Sequence, residues 1–180
     1  MTALPTSVKK IHVVQGEYVV VDDATVVLGT ILGSCVAACL RDPEAGIGGM
    51  NHFLLPGDVT RAGGGIERYG VHLMELLING LLKRGAQRQR LEGKLFGGAR
   101  MLDGLSDIGA KNATFAKSYF KDEGIKLVAE DLGGRHGRRI EYYPVSGRAR
   151  QIFLSGDPQK IHLIETPSVK PSNQGAVELF

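Results

Sequence analysis

The apolar residues in the first third of the chain come in short β-branched stretches separated by polar or glycine-rich breaks. Stretches of this length and composition predict strands rather than helices. The predicted strands cover residues 11–21, as a pair broken at Gly16, then 25–32, 35–40 and 47–55. Gly33 and Ser34 predict a turn before the third stretch, and Pro43 with Gly46 predicts a tight turn before the last.

The spacing of apolar residues becomes helical further along the chain. Intervals of three and four residues predict a helix over 66–83, and a second helix fits 110–123. Further strands are predicted at 94–99, 126–131, 139–143 and 150–154. Because strands and helices do not alternate regularly, this order predicts an α+β fold, a layered sandwich of mixed β-sheets with two main helices.

Composition and charge narrow the class of protein. The 180 residues are 43% hydrophobic and 23% charged, which is the balance of one soluble domain. The net charge of +3 comes without a dense basic block, so nothing indicates nucleic acid. The longest uncharged run, 24–40, is shorter than the ~20 residues of a membrane helix, so no membrane insertion is expected. No secretory signal is evident either, and we expect a cytoplasmic protein.

The chain divides into two unequal parts. Residues 1–155 contain all the predicted elements and form the predicted domain. Residues 156–180 contain several Pro, Ser and Asn residues and predict a flexible C-terminal tail. Three of its last four residues are apolar, so a docking peptide is an alternative to a frayed terminus.

Two cysteines, Cys35 and Cys39, are the only ones in the chain, which excludes a disulfide framework and a four-cysteine zinc site. Cys35 follows a Gly-Ser turn that can leave backbone N–H groups free, and His52 on the next predicted strand is a candidate base. These are the requirements of a thiol nucleophile. The alternative for Cys35 is a buried packing residue, a role that fits Cys39 well.

Other kinds of site have weaker support in the sequence. A redox pair is excluded because residues four apart on one strand are roughly 13 Å apart, beyond disulfide reach. A metal site would have to collect Cys35, Cys39 and His52, with His72 or His136, and no close ligand pair supports it. No phosphate-binding glycine motif is present, although three glycines precede the first helix.

A set of motifs around Cys35 and His52 resembles the CheD family of chemoreceptor glutamine deamidases. The matching segments are 32–40, Asp42-Pro43, 47–56, 94–99, 108–112 and 129–134, with Arg138 beyond them. The resemblance covers about residues 10–155. The block from Cys35 to His52 is its most specific part, because glycines, proline, nucleophile and base follow one order and spacing.

The resemblance implies a protein-glutamine glutaminase that converts glutamines of methyl-accepting chemotaxis receptors to glutamate and ammonia. It makes Cys35 the nucleophile and His52 the general base, acting as a thiolate–imidazolium pair through a γ-glutamyl thioester. Ser34, Gly33 and Asn51 are the expected oxyanion or positioning residues. No metal or organic cofactor is implied, and the fold is expected to be related to the toxin-type cysteine deamidases.

The third catalytic residue of the family is a threonine six positions before the cysteine, and this chain departs from that pattern. Gly29 occupies the position, and Thr30 follows it. A shift by one residue turns a strand side chain to the other face of the sheet. Either a bulge at Gly29 restores Thr30 to the site, or another group orients the imidazole. Of these, we assign the role to Thr30.

The partners implied by the resemblance are the cytoplasmic helical region of the receptors and, in some organisms, a CheC-type phosphatase. Two other functions remain open at the level of sequence. One is a regulatory adaptor that binds receptors or the phosphatase with little turnover. The other is a cysteine protease, for which only the Cys–His pair speaks.

Overall fold

A computed structural model describes residues 7–55, 65–103 and 107–154, together with two short strands at 163–164 and 177–178. Within these residues the strands are β1 Lys9–His12, β2 Tyr18–Val21, β3 Val26–Leu32, β4 Val36–Asp42, β5 Ile47–Phe53, β6 Glu92–Gly97, β7 Lys126–Leu132, β8 Gly137–Tyr143, β9 Arg148–Leu154, β10 Leu163–Ile164 and β11 Val177–Glu178. The helices are α1 Gly65–Lys83 and α2 Ile108–Asp122, with a 3₁₀ turn at Arg88–Arg90. The α+β class predicted from the sequence is confirmed.

The strands form two mixed sheets. The first sheet has the order β1-β3-β8-β9-β10-β11, and the second has the order β2-β5-β4-β6-β7. Most neighbours are antiparallel, but β1 runs parallel to β3, β6 runs parallel to β7 and β10 runs parallel to β11. The hairpin of β4 and β5 therefore lies inside the second sheet, with β2 and β6 on either side of it.

Strand β4 shows how the layers are arranged. Val36, Ala38 and Leu40 belong to the hydrophobic cluster that also contains the buried face of α1 and residues of α2. Ala37 and Cys39, which alternate with them, belong to a second cluster shared with the first sheet. Successive side chains of a strand point to opposite faces. The second sheet is therefore the middle layer, between the helices and the first sheet, which explains why β4 is apolar on both faces.

Helix α1 packs against the middle sheet through Leu73, Leu77 and Leu81, which are buried at four-residue intervals. The close packing depends on Gly49 of β5. A Cβ atom there would lie 2.5 Å from the carbonyl oxygen of Val19 and 2.9 Å from a methyl carbon of Leu77. Glycine is therefore required where β2, β5 and α1 approach one another. No helix in the described ranges is long and apolar enough to cross a membrane.

The structure corrects one prediction and leaves another open. The segment 11–21 does not form a strand pair, because β1 joins β3 in the first sheet and β2 joins β5 in the second. The link between them thus crosses from one sheet to the other. In the predicted tail, β10 pairs with β9 and β11 pairs with β10. The rest of residues 156–180 lies outside the described part of the chain, so the flexibility of the tail stays a prediction.

Candidate active site

Cys35 and His52 lie at the same end of the β4/β5 hairpin. Ala37 pairs directly with His52, and Cys35 precedes Ala37 by two residues on the same face. Diagonal neighbours in an antiparallel pair have Cα atoms roughly 7–8 Å apart, which an imidazole ring can span. His52 is buried and Cys35 is half-buried between the two sheets. The strand register therefore brings the two predicted residues together.

Thr30 reaches the same place from the first sheet. Its Oγ1 lies 2.9 Å from Nδ1 of His52 and donates a hydrogen bond of 2.7 Å to the carbonyl oxygen of Val13. A hydroxyl has one proton to donate. Since the hydroxyl donates this proton in its hydrogen bond to the Val13 carbonyl, the oxygen of Thr30 accepts the hydrogen bond from Nδ1–H of His52. This arrangement selects the tautomer whose Nε2 carries the free lone pair.

The concern that Thr30 faces away from the site is wrong, and no bulge is needed. The pairing of β3 with β1 and with β8 runs through Gly29 without a register shift. Thr30 alternates correctly with Leu28 and Leu32 on the buried face of β3. Counting alternate side chains back from Cys35 does not give the face of Thr30, because β3 ends at Leu32 and a bend follows. The alternation of a single strand does not continue across that bend.

Nε2 of His52 is buried and has no hydrogen-bond partner within the described ranges. Its Nδ1 is held by Thr30 and also lies 3.3 Å from the carbonyl oxygen of Val13. A buried nitrogen without a partner costs free energy, so its presence calls for an explanation such as a catalytic role. Nε2 is therefore the atom of His52 available to take a proton from the thiol and return it to a leaving group.

The peptide segment that carries Cys35 is fixed by hydrogen bonds to three consecutive carbonyl groups. The backbone N–H of Ala99 donates to Gly33 over 2.9 Å, and the backbone N–H of Gly98 donates to Cys35 over 2.8 Å. Between them, the carbonyl oxygen of Ser34 accepts from the side chain of Asn112 over 2.7 Å. Gly33 and Ser34 thus hold Cys35, the candidate nucleophile, in place through their backbones, while an oxyanion role for either remains a prediction.

Gly97 allows this close approach behind the nucleophile. Its φ is +111°, and a Cβ atom there would lie 2.1 Å from the carbonyl oxygen of Cys35. A side chain is excluded on both counts, because the left-handed conformation is strained and the space is occupied by backbone. The double glycine at the end of β6 is therefore part of the frame around the site.

Asn112 of α2 is a residue to which sequence reasoning assigned no role. Its buried amide donates to Ser34 and accepts a hydrogen bond of 2.9 Å from the backbone N–H of Leu55. One side chain thus connects the segment before Cys35 with the segment after His52. The only signal in the sequence was its presence in the matched motif 108–112.

Asn51 lies on the other face of the middle sheet from His52. Its amide oxygen accepts from the backbone N–H of Ala38 over 3.0 Å, and its amide nitrogen donates to the carbonyl oxygen of Leu73 in α1 over 3.3 Å. Both ends of the amide are occupied on the helix side. Asn51 therefore connects the β4/β5 hairpin to α1 and does not reach the sulfur as an oxyanion donor.

Gln15 is a second residue that the sequence analysis missed. It lies in the link between β1 and β2, and its Oε1 accepts a hydrogen bond of 3.5 Å from Sγ of Cys35. An exposed glutamine in a turn carries no pattern that predicts such a contact. The structure thus adds an amide group directly beside the candidate nucleophile.

Burial determines the charge states of the pair at rest. It raises the pKa of the Cys35 thiol, an effect that the backbone N–H of Cys35 partly offsets. Burial also lowers the pKa of His52, with a smaller opposing effect from the Val13 carbonyl and a further lowering by His12. Both shifts favour the uncharged forms. Burial of the site thus favours a neutral thiol and a neutral imidazole over a resting ion pair.

Cys39 is separated from this chemistry by its position in the core. Its side chain is fully buried in the cluster between the two sheets, and burial raises the pKa of its thiol far above the ordinary range. A thiol that stays protonated is a poor nucleophile. The prediction that Cys39 is a packing residue is confirmed. No group of three or more potential metal ligands occurs among the described residues.

Comparisons with known proteins give a consistent result. A family model described as CheD chemotactic sensory transduction matches residues 54–151. A relative from Agrobacterium fabrum is 59% identical over 172 residues, covering 93% of this chain and 95% of its own length. Relatives from Rhizobium meliloti and a Caulobacter species are 56% and 55% identical, and each covers at least 93% of both chains. All three carry the name probable chemoreceptor glutamine deamidase CheD.

Proposed function

Because the chain belongs to the CheD family, we propose that it hydrolyses the side-chain amide of glutamine residues on chemoreceptors. The products are glutamate and ammonia. The observation that supports this chemistry most directly is the Thr30–His52 hydrogen bond. It leaves Nε2 buried, with no partner among the residues that the structure describes, on the face that Cys35 shares. The proposed nucleophile, base and orienting group come from three different strands or their ends, and together they are the three groups that a thiol-based site needs.

In the first half of the reaction, Cys35 attacks the carbon of the substrate carboxamide. The Sγ–H proton moves to Nε2 of His52, the S–C bond forms, and the π electron pair of the carbonyl moves onto its oxygen. The resulting imidazolium is stabilised because its Nδ1–H donates a hydrogen bond to Thr30, and Thr30 in turn donates one to the Val13 carbonyl. Linked hydrogen bonds polarise and strengthen one another. The intermediate then collapses, the C–N bond breaks, and His52 gives its proton to the leaving ammonia.

In the second half, water replaces ammonia in the site. Neutral His52 takes a proton from the water, whose oxygen attacks the γ-glutamyl thioester. The C–S bond breaks as the carboxylic acid forms, and the sulfur recovers its proton. Each step uses the same Nε2 lone pair, which explains why the tautomer set by Thr30 matters throughout the cycle.

The partners follow from the proposed substrate. Three relatives are named as chemoreceptor deamidases, and the glutamines concerned would lie on the cytoplasmic helical region of a receptor. The enzyme would then act in the cytoplasm. Binding by a CheC-type phosphatase is a further part of the proposal. A protein that binds such partners without turnover is the alternative that the next experiment addresses.

The test measures ammonia release and the mass of a receptor cytoplasmic fragment after incubation with the enzyme. Wild type is expected to release ammonia and to convert particular glutamines to glutamate, whereas Cys35→Ala and His52→Ala are expected to be inactive. Cys39→Ala is the matched control, since it removes the core thiol and leaves the site intact. Equal ammonia release by wild type and Cys35→Ala would contradict the proposal. Binding without turnover would favour the adaptor, and cleaved peptide fragments would indicate a protease.

A further inference from the structure

The link between β1 and β2 is attached to the strands that carry the site. The backbone N–H of Val13 donates to the carbonyl oxygen of Gly29 over 2.8 Å. On the other side of Gln15, the backbone N–H of Gly16 donates to the carbonyl oxygen of His52 over 2.7 Å. The same Val13 carbonyl accepts from Thr30. The backbone on either side of Gln15 is therefore fixed by the residues that hold the imidazole.

The side chain of Gln15 is held at the sulfur itself. Gln15 is solvent-exposed, yet its terminal amide accepts a hydrogen bond from Sγ of Cys35 at 3.5 Å. A half-turn of the terminal amide exchanges Oε1 for Nε2 at the same place, since the two ends of a carboxamide have the same shape. An N–H donor can thus be presented next to the sulfur without any movement of the backbone.

We propose that Gln15 is a catalytic residue that donates an N–H hydrogen bond to the oxyanion formed when Cys35 attacks the substrate carboxamide. The inference rests on the proposed deamidase function. The oxygen that becomes negative is bonded to the same carbon as Sγ, so a donor beside Sγ lies within hydrogen-bond reach of it. The backbone N–H of Cys35 faces the sulfur and is the second donor.

This assignment supplies a side-chain donor that Asn51 does not provide. The side chain of Asn51 is engaged on the helix side of the sheet. The bonds that Ala99 and Asn112 make to Gly33 and Ser34 engage carbonyl groups only, so the oxyanion role predicted for the backbone N–H groups of these two residues is compatible with it. A negative oxygen in a half-buried site needs donors placed before the reaction begins. Gln15 is the described side-chain amide in contact with the nucleophile.

The experiment compares wild type with Gln15→Leu, Gln15→Glu and the neighbouring exposed control Val14→Ala. Gln15→Leu is expected to lower kcat for deamidation of the receptor fragment about 100-fold, as loss of one oxyanion donor does elsewhere, with KM nearly unchanged. Val14→Ala is expected to match wild type. Alkylation of Cys35 by iodoacetamide forms no oxyanion, so its rate in Gln15→Leu is expected to stay close to the wild-type rate.

Gln15→Glu tests the charge of the side chain at position 15, because it keeps the shape of the side chain and makes it ionisable. A carboxylate beside the oxyanion repels it, whereas the protonated acid can donate. The ratio of Gln15→Glu activity to wild-type activity is therefore expected to rise as the pH falls. A ratio that does not change with pH would overturn the assignment.

Other outcomes overturn this inference while leaving the deamidase function standing. If wild type deamidates the fragment and Gln15→Leu does so equally well, Gln15 is not a donor. If Gln15→Leu is faster than wild type, the side chain blocks the site. If alkylation and kcat fall by the same factor, Gln15 acts on the thiol instead. If wild type and Cys35→Ala release equal ammonia, the proposed function itself has failed.

Discussion

The hydroxyl of Thr30 provides a sharp test of how the imidazole is held. Thr30→Val replaces the hydroxyl with a methyl group of similar size in a fully paired strand, so the variant is expected to fold. It removes the acceptor 2.9 Å from Nδ1 of His52 and the donor 2.7 Å from the Val13 carbonyl. Thr30→Ser keeps the hydroxyl and removes only a methyl group, which makes it the matched control.

The expected magnitude follows from the charge that His52 acquires in the transition state. A hydrogen bond to a charged group contributes about 1.5–3 kcal/mol, which corresponds to about a 10- to 150-fold effect on rate. The Val13 carbonyl lies 3.3 Å from Nδ1 and can accept part of the lost bond. We therefore expect the lower part of this range, a fall in kcat of about 10- to 50-fold.

The assay is ammonia release from a receptor fragment, with kcat and KM determined across the pH range. KM is expected to change little, because Thr30 acts on the substrate only through His52. Loss of an acceptor for the imidazolium is also expected to lower the pKa of His52, which moves the acid limb of the kcat profile to lower pH. The reasoning would be refuted if Thr30→Val kept wild-type kcat with an unmoved acid limb, or if Thr30→Ser lost as much activity as Thr30→Val.

Four further predictions concern the frame and the charge states of the site. Gly97→Ala places a Cβ atom 2.1 Å from the carbonyl oxygen of Cys35 at a φ of +111°, so a loss of about 3 kcal/mol in the free energy of unfolding is expected in urea denaturation; an unchanged midpoint would contradict it. Asn112→Ala leaves a buried N–H and a buried carbonyl without their partner and is expected to cost about 2–4 kcal/mol and to slow Cys35 alkylation; a variant as stable and as reactive as wild type would show that the bridge does not matter. Burial lowers the folded-state pKa of His52 below 6.5, so the base stays neutral in the folded protein at higher pH. Activity is therefore expected to fall only below pH 6.5. The contribution of the neutral imidazole to the free energy of unfolding is present above pH 6.5 and is lost as the pH falls through the folded-state pKa. The raised pKa of Cys35 predicts that its alkylation rate increases beyond pH 9.0, and a plateau near pH 7 would instead show a thiolate at rest.

Local patterns were sufficient for the elements that place Cys35 and His52. The alternation of β4 and β5 and the turn between them are encoded in adjacent residues, so both the hairpin and the proximity of the pair could be inferred. The partner of a strand is not encoded locally. The pattern of residues 11–21 predicts one strand pair. In the structure, β1 and β2 join different sheets because their partners, β3 and β5, lie further along the chain.

The residues that complete the site depend on long-range contacts. Counting alternate side chains back from Cys35 makes a bulge at Gly29 necessary for Thr30 to face the site, because the count runs across the bend that follows β3; the strand pairing shows no bulge there. Asn112 meets Ser34 across 78 positions of sequence, and Gln15 meets Cys35 across 20. No periodicity links such positions. The sequence therefore predicted Cys35 and His52 as the reactive pair and Thr30 as the orienting residue, while the contacts of Asn112 and Gln15 became evident only from the fold.

The central claim is that Cys35 forms a covalent γ-glutamyl thioester, and competition by hydroxylamine tests it most directly. Hydroxylamine competes with water for an acyl-enzyme and leaves a hydroxamate on the receptor glutamine. Mass spectrometry of the receptor fragment is expected to show hydroxamate and glutamate at the same positions, with the hydroxamate share rising with hydroxylamine concentration. Both products are expected to disappear in Cys35→Ala and to persist in Cys39→Ala. Glutamate without hydroxamate at every hydroxylamine concentration, or equal products from Cys35→Ala, would contradict the account.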